Sequence, residues 1–184
     1  MRPGLRTMIV QEHSKAQMLR IVHWVGDDRK RFDELISLFL SGEWLISQRA
    51  GYPLSTIAIK QHEWVLPYIN KLIACAMRSD QHNAVRRNVM RIFEYISIPR
   101  RYHGKVMTMC FNFISSPTEK VAIKAFSLTV LEHMLDEYPA IGSELKIIIE
   151  DQWMQETPAF QSRAKKILLR LKTGRFFNTP PVFP

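Results

Sequence analysis

Residues 121–125 of this chain read Val-Ala-Ile-Lys-Ala, and a basic residue opens an apolar helical segment in the same way at three other places. Successive basic positions are 38, 37 and 39 residues apart, and they are Arg49, Arg87, Lys124 and Arg163. In three of the four copies the next residue is alanine. A period in this range is typical of stacked helical hairpins, in which each unit buries its apolar face against its neighbours. The interval therefore predicts a helical solenoid.

The remaining sequence favours helices and offers little for strands. Only seven of the 184 residues are glycine, no Asn-Gly or Asp-Gly turn occurs, and apolar residues recur at steps of three and four. We predict an all-α, right-handed α-α superhelix of four to five helical hairpins with roughly nine helices. The expected organisation is an N-terminal segment over residues 1–13, a single solenoid domain over 14–174, and an extended tail with three Pro and three Phe over 175–184.

Local signals predict several helix boundaries. Ser14 is expected to cap the first helix, and Ser-Pro-Thr-Glu at residues 116–119 is expected to form a capping box with proline at the first helical position. Pro53 predicts a kink or break near Tyr52, because proline removes a helical hydrogen bond. Thr157 precedes a proline and is expected to open the last helix, which a glycine ends.

The helix openings resemble the start of the second helix in HEAT repeats, and the resemblance covers most of the chain. In that family an acidic residue of the turn precedes the basic residue by about six positions, as Glu43 precedes Arg49 and Asp80 precedes Arg86. Threonine occupies the corresponding place in the other two copies. The resemblance implies a superhelical binding or scaffold module. Small HEAT-like proteins also include alkylpurine DNA glycosylases, and the similarity to that group is one of fold. The quoted openings are Gln48-Arg49-Ala50, Val85-Arg86-Arg87, Val121-Ala122-Ile123-Lys124-Ala125 and Ser162-Arg163-Ala164.

The net charge of +9 is distributed in bands along the chain. Residues 49–124 contain 12 Lys or Arg against four Asp or Glu, whereas residues 125–162 contain one Lys against seven acids. The last 22 residues contain six basic groups and no acid. Such bands can steer an anionic partner to the middle of the molecule, or they can attract one another within it.

The candidate partner-binding residues are all basic. Repeat geometry places the four equivalent positions in a row along the stack, where they can bind phosphates or an acidic peptide. Alternatively, each side chain bonds turn carbonyls or acids within the protein. Because Thr118 and Thr157, and not acids, stand six positions before Lys124 and Arg163, we expect these two basic residues to be free for a partner. The complete set is Arg49, Arg86, Arg87, Arg91, Lys124, Arg163, Arg100, Arg101 and Lys105.

No pattern in the sequence indicates catalysis. The six histidines are isolated, and the sequence contains no serine-hydrolase elbow, phosphate-binding loop or dinucleotide fingerprint. We therefore predict a non-catalytic module without metal, cofactor or small-molecule substrate. The expected partner is a protein, with duplex nucleic acid as the alternative. No 18-residue apolar run occurs, and the two cysteines lie in apolar helical patterns, so we expect no membrane association and free thiols in the cytoplasm.

Overall fold

The computed structural model describes residues 4–174, and all the regular structure in that range is helical. The predicted all-α class is thus confirmed, whereas its right-handedness stays a prediction. Short 3₁₀ turns lie at His62–Trp64, Leu66–Tyr68 and Arg100–Tyr102. The α-helices of the described range are α1 (Leu5–Gln11), α2 (Lys15–Val25), α3 (Arg29–Phe39), α4 (Trp44–Lys60), α5 (Ile69–Met77), α6 (Asn83–Tyr95), α7 (His103–Ser115), α8 (Val121–Met134), α9 (Ile141–Gln152) and α10 (Pro158–Thr173).

The chain forms two compact units. Within the described residues, the first comprises 4–92 with Ile96–Ile98, and the second comprises Phe93–Tyr95 with 99–174. Most of α6 belongs to the first unit and its last three residues belong to the second. The tail predicted over residues 175–184 lies outside the described residues.

In the first unit, α1, α2 and α3 all pack against α4. The core of this unit includes Phe32, Phe39 and Leu54, each fully buried. Helix α1 also buries Leu5 and Ile9 and packs against α2 and α4, so part of the predicted N-terminal segment contributes to the core of this unit. Its seven residues are too few to show a clear helical period. The described range therefore holds ten α-helices, one more than predicted.

The predicted first helix boundary is confirmed. Ser14 caps α2, since its hydroxyl oxygen accepts a hydrogen bond from the Gln17 backbone N–H at 3.0 Å. Gly26 ends the helix with φ of 51°, a conformation that glycine adopts without a Cβ clash. The predicted break near Tyr52 is absent, because α4 continues from Trp44 to Lys60 with Pro53 buried inside it. Proline at position 53 removes the hydrogen bond that this position would donate to the carbonyl four residues earlier, and α4 continues past it.

In the second unit, α8 packs against α7 and α10, while α9 contacts α7 and α10. The capping box predicted at residues 116–119 does not form, because α8 begins only at Val121. The Glu119 carboxylate instead accepts a hydrogen bond from the Lys120 N–H at 2.9 Å, within the turn that precedes α8. The cap at Thr157 is confirmed, with its hydroxyl 3.5 Å from the Phe160 N–H, and the glycine after α10 has φ of 61°.

Both cysteines are free thiols, as predicted. Burial raises the pKa of Cys75 and of the fully buried Cys110. None of the helices between Gly4 and Gly174 combines the length and the apolar character that crossing a membrane requires.

Candidate functional site

One predicted basic residue lies over the ring of an exposed tyrosine in the first unit, and two others lie about one helical turn from this pair. Tyr52 on α4 is 42% exposed, and the guanidinium carbon of Arg91 on α6 lies 5.0 Å from its ring centroid. Arg49 precedes Tyr52 by about one turn of α4, and Arg87 precedes Arg91 by about one turn of α6. We call Arg49, Tyr52, Arg87 and Arg91 the α4–α6 basic surface.

A close approach of the two helices produces this arrangement. A Cβ atom on Gly51 would lie 2.4 Å from Nδ2 of Asn88, so only glycine admits the α6 side chain at this point. Asn88 is buried and donates to the Ala84 carbonyl at 2.7 Å. The Ser55 hydroxyl donates to Oδ1 of Asn88 at 3.5 Å. This contact fixes the spacing at which Arg91 reaches the ring of Tyr52.

Arg49 has a structural role in addition to its place on this surface. One of its guanidinium N–H groups donates to the Val10 carbonyl at 2.7 Å, and that carbonyl is in the last turn of α1. Carbonyls at the end of a helix have no intrahelical donor, and a positive charge there is favourable. The bond uses one of five donors, and it is the only hydrogen bond of Arg49 among the described residues.

Arg87 is exposed and forms no hydrogen bond or ion pair within residues 4–174. Many acids of the first unit form ion pairs with arginines that lie outside the α4–α6 basic surface. These pairs are Glu12 with Arg20, Asp28 with Arg31, Asp33 with Arg29, Glu43 with Arg6, and Asp80 with Arg78. The positive charge of the α4–α6 basic surface is consequently not neutralised by these carboxylates.

The acid-base pairing that the HEAT resemblance implies takes a different form here. Glu43 binds Arg6 through both carboxylate oxygens, and this hydrogen bonding lowers the pKa of Glu43. Arg49 donates to a backbone carbonyl instead. Asp80 binds Arg78 at 2.7 Å, which lowers the pKa of Asp80, and the charge of Arg86 adds a smaller contribution.

Arg86 bonds the turn between α5 and α6. Its guanidinium donates to the carbonyls of Ala76 at 3.1 Å and Arg78 at 2.6 Å. Arg86 therefore donates to backbone carbonyls within the protein, which is the alternative role that the sequence allows for these basic residues.

The expectation that Lys124 and Arg163 are free for a partner is wrong. Lys124 in the second unit is 3% exposed, forms an ion pair with Glu156, and donates to the Gln152 side chain at 3.0 Å. Arg163 donates to Oε1 of Glu94 at 3.0 Å and lies 5.1 Å from the centroid of the Phe126 ring. Acids from other parts of the second unit replace the missing acid of the turn.

The predicted turn cluster lies at the start of α7 in the second unit. Arg100 is exposed and its Nε is 2.6 Å from a carboxylate oxygen of Glu137. The guanidinium carbon of Arg101 is 4.9 Å from the ring centroid of Tyr102. Lys105 is exposed on the first turn of α7. This cluster therefore includes one ion pair and one stacked arginine.

Sequence reasoning missed Tyr52 as a residue of the candidate site. A usable signal was present, because Tyr52 follows Arg49 by three positions and such residues share a helix face. The contact with Arg91 joins residues 39 positions apart, and no local pattern indicates it. Within the described range, no group of three or more His, Cys, Asp or Glu side chains could hold a metal ion.

Comparison with known proteins identifies the architecture. A model of the HEAT repeat domain matches residues 5–171. No curated protein and no solved structure matches the chain. The match spans nearly all of the described helices, including α1, and it agrees with the repeated basic residues at the openings of the second helices. The chain therefore belongs to the HEAT repeat domain family.

Proposed function

We propose that this chain is a non-catalytic binding module that holds an acidic segment of a partner protein on the α4–α6 basic surface. The observation that carries the proposal is the exposed Arg87, which has no partner within residues 4–174, next to the stacked pair of Arg91 and Tyr52. Arginine and tyrosine are enriched among residues that dominate protein interfaces, and arginine binds carboxylates through two parallel hydrogen bonds. Stacking on Tyr52 also restricts the guanidinium of Arg91 before a partner arrives.

The same contacts favour a protein segment over duplex DNA. A duplex presents a phosphate charge every few ångströms, and proteins that bind it contact many phosphates along a basic track. Lys124 is buried in an ion pair and Arg163 is bound to Glu94, so neither is available without breaking an internal interaction. A compact group of three arginines with an aromatic ring suits a short acidic peptide better.

The test measures the binding of fluorescein-labelled Gly-Ser-Glu-Glu-Ala-Glu-Glu-Ser-Gly by fluorescence anisotropy at low salt. We expect the double variant Arg87→Glu, Arg91→Glu to weaken binding at least tenfold, because it replaces attraction by repulsion at two contacts. The matched control is Lys30→Glu, Lys71→Glu, which changes the net charge equally at exposed positions of other helices. A labelled 12-base-pair duplex is measured in parallel.

The proposal requires the peptide to bind the wild-type chain and the control variant with similar affinity. Equal weakening by both double variants would mean that overall charge, and not this surface, attracts the peptide. Tight duplex binding that is lost only in the Arg87, Arg91 variant, with no peptide binding, would assign the surface to nucleic acid. Either result would overturn the proposal.

A further inference from the structure

A cavity opens next to the α4–α6 basic surface in the first unit. Its volume is about 190 Å³, and both Arg49 and Tyr52 line it. The apolar part of the wall comes from three helices, with Ile9 on α1, Met18 and Ile21 on α2, and Pro53 on α4. Ile9, Met18 and Ile21 are each at most 7% exposed. The cavity therefore has an apolar floor and shares two residues with the basic surface.

Hydrogen bonds hold the cavity in shape without a ligand. The buried Gln17 amide donates to the Met8 carbonyl at 2.6 Å, while Arg49 donates to the Val10 carbonyl at 2.7 Å. Both carbonyls belong to α1, so the two side chains tie α1 to α2 and to α4. A preformed site of this kind loses little conformational freedom when it is filled.

The size of the cavity limits what it can accept. Cofactor and drug sites usually occupy about 300–1,000 Å³, which is more than this cavity offers. An apolar cavity of about 150 Å³ is known to hold one benzene ring. One aromatic side chain therefore matches the volume of the cavity.

The charged residues that line the cavity indicate which residues should flank the bound aromatic side chain in the partner. Arg49 and Lys15 supply positive charge, and His13 supplies an imidazole. Glu12 is the acid at the rim, and one of its carboxylate oxygens lies 3.9 Å from the Arg20 guanidinium. We infer that the cavity receives one aromatic side chain from a segment of a partner protein whose flanking residues are acidic. This inference rests on the proposed function and adds an aromatic anchor to the acidic segment.

The first experiment compares two peptides on the wild-type chain. One is the Glu-rich peptide with alanine at its centre, and the other is identical except for phenylalanine at that position. We expect the phenylalanine peptide to bind at least tenfold more tightly, because burying an aromatic side chain removes apolar surface from water. The affinity of the alanine peptide reports on the basic surface alone.

Two tryptophan variants on α2 localise the effect. Met18→Trp places a large side chain in the cavity, and Leu19→Trp places the same side chain at a neighbouring position that is 51% exposed and outside the cavity. We expect Met18→Trp to reduce the preference for phenylalanine to less than threefold and Leu19→Trp to retain it. Thermal unfolding of both variants checks that they remain folded.

Methyl NMR of the wild-type chain gives a readout that does not depend on any variant. The Met18 methyl signal should shift through the ring current of the phenylalanine peptide and should stay in place with the alanine peptide. Equal affinity for the two peptides, or an unchanged Met18 signal, would overturn the inference while leaving the proposed function intact. Failure of both peptides to bind would instead overturn the proposed function.

Discussion

Equivalent basic residues of the two units differ in their surroundings. Arg87 in the first unit is exposed and unpaired among the described residues, whereas Lys124 in the second is 3% exposed and paired with Glu156. Each lies in the first turns of the second helix of a hairpin, 37 residues apart. The repeat period thus fixes the place of a cation on its helix. The positions of the acidic residues in the folded unit determine whether that cation is paired internally or is exposed to a partner.

The largest effect is expected from Lys124→Met. This change leaves the carboxylate of Glu156, whose side chain is 10% exposed, without its cation in a buried site. Removing one member of a buried ion pair typically destabilises a protein by about 3–5 kcal/mol. The control is Arg87→Met, which should change the free energy of unfolding by less than about 0.5 kcal/mol. Urea unfolding measures the stability of both variants. Similar losses of stability would contradict the difference between the environments of Lys124 and Arg87.

A second substitution separates charge from packing at the same site. Adding Glu156→Leu to Lys124→Met removes the unpaired carboxylate and replaces the pair by apolar groups, which is often close to neutral. We expect the double variant to recover most of the lost stability in urea. A double variant as unstable as Lys124→Met would locate the loss in packing and not in the unpaired charge.

Gly51→Ala should have the next largest effect, because it acts on the contact that builds the α4–α6 basic surface. The new methyl group would meet the hydrogen-bonded amide of Asn88, and forcing extra atoms into a packed core costs about 1–3 kcal/mol. This loss opposes the gain of up to about 1 kcal/mol that alanine brings to a helix. Gly104 on α7 is the control, since nothing lies within 4 Å of its added Cβ.

The two glycine variants should therefore differ in sign. Gly104→Ala should raise the free energy of unfolding by about 0.5–1 kcal/mol, and Gly51→Ala should lower it. Gly51→Ala should also weaken binding of the acidic peptide, because it displaces Arg91 from Tyr52. Stabilisation by both substitutions would show that α6 adjusts freely, and the proposed preformed surface would lose its basis.

Features that depend on neighbouring residues could be predicted from the sequence. The caps at Ser14 and Thr157 follow from side chains that bond an N–H three positions away, and both are confirmed. The box at residues 116–119 has equally good local chemistry, but the chain makes a turn there and α8 begins at Val121. Packing of α7 against α8 competes with local capping at that junction.

The candidate site depends on longer separations, and here local patterns fail. Arg163 binds Glu94, which is 69 positions away in the chain, and Arg6 binds Glu43 across 37 positions. No spacing rule connects such residues, so the missing acid of the turn wrongly indicated a free Arg163. The cavity beside Arg49 is likewise formed by three helices together. The sequence could indicate which positions carry cations, but the fold determines which of them remain exposed.

The smallest effect is expected from replacing Glu132, an acidic residue of the second unit. Burial raises the pKa of Glu132 on α8, and the charge of Arg170 opposes this only in part. Because the folded pKa exceeds the unfolded value, ionised Glu132 disfavours the folded state at neutral pH, and protonation removes that penalty as the pH falls. Glu132→Gln should therefore stabilise the protein at pH 7.5 by roughly a few tenths of a kcal/mol, since the group stays partly solvated. The gain should vanish below the unfolded pKa of Glu132, as urea unfolding at pH 7.5 and at pH 4 can measure. Destabilisation at pH 7.5 would instead mean that the surrounding cations outweigh burial, and that Glu132 helps to hold the basic residues of the second unit inside the protein.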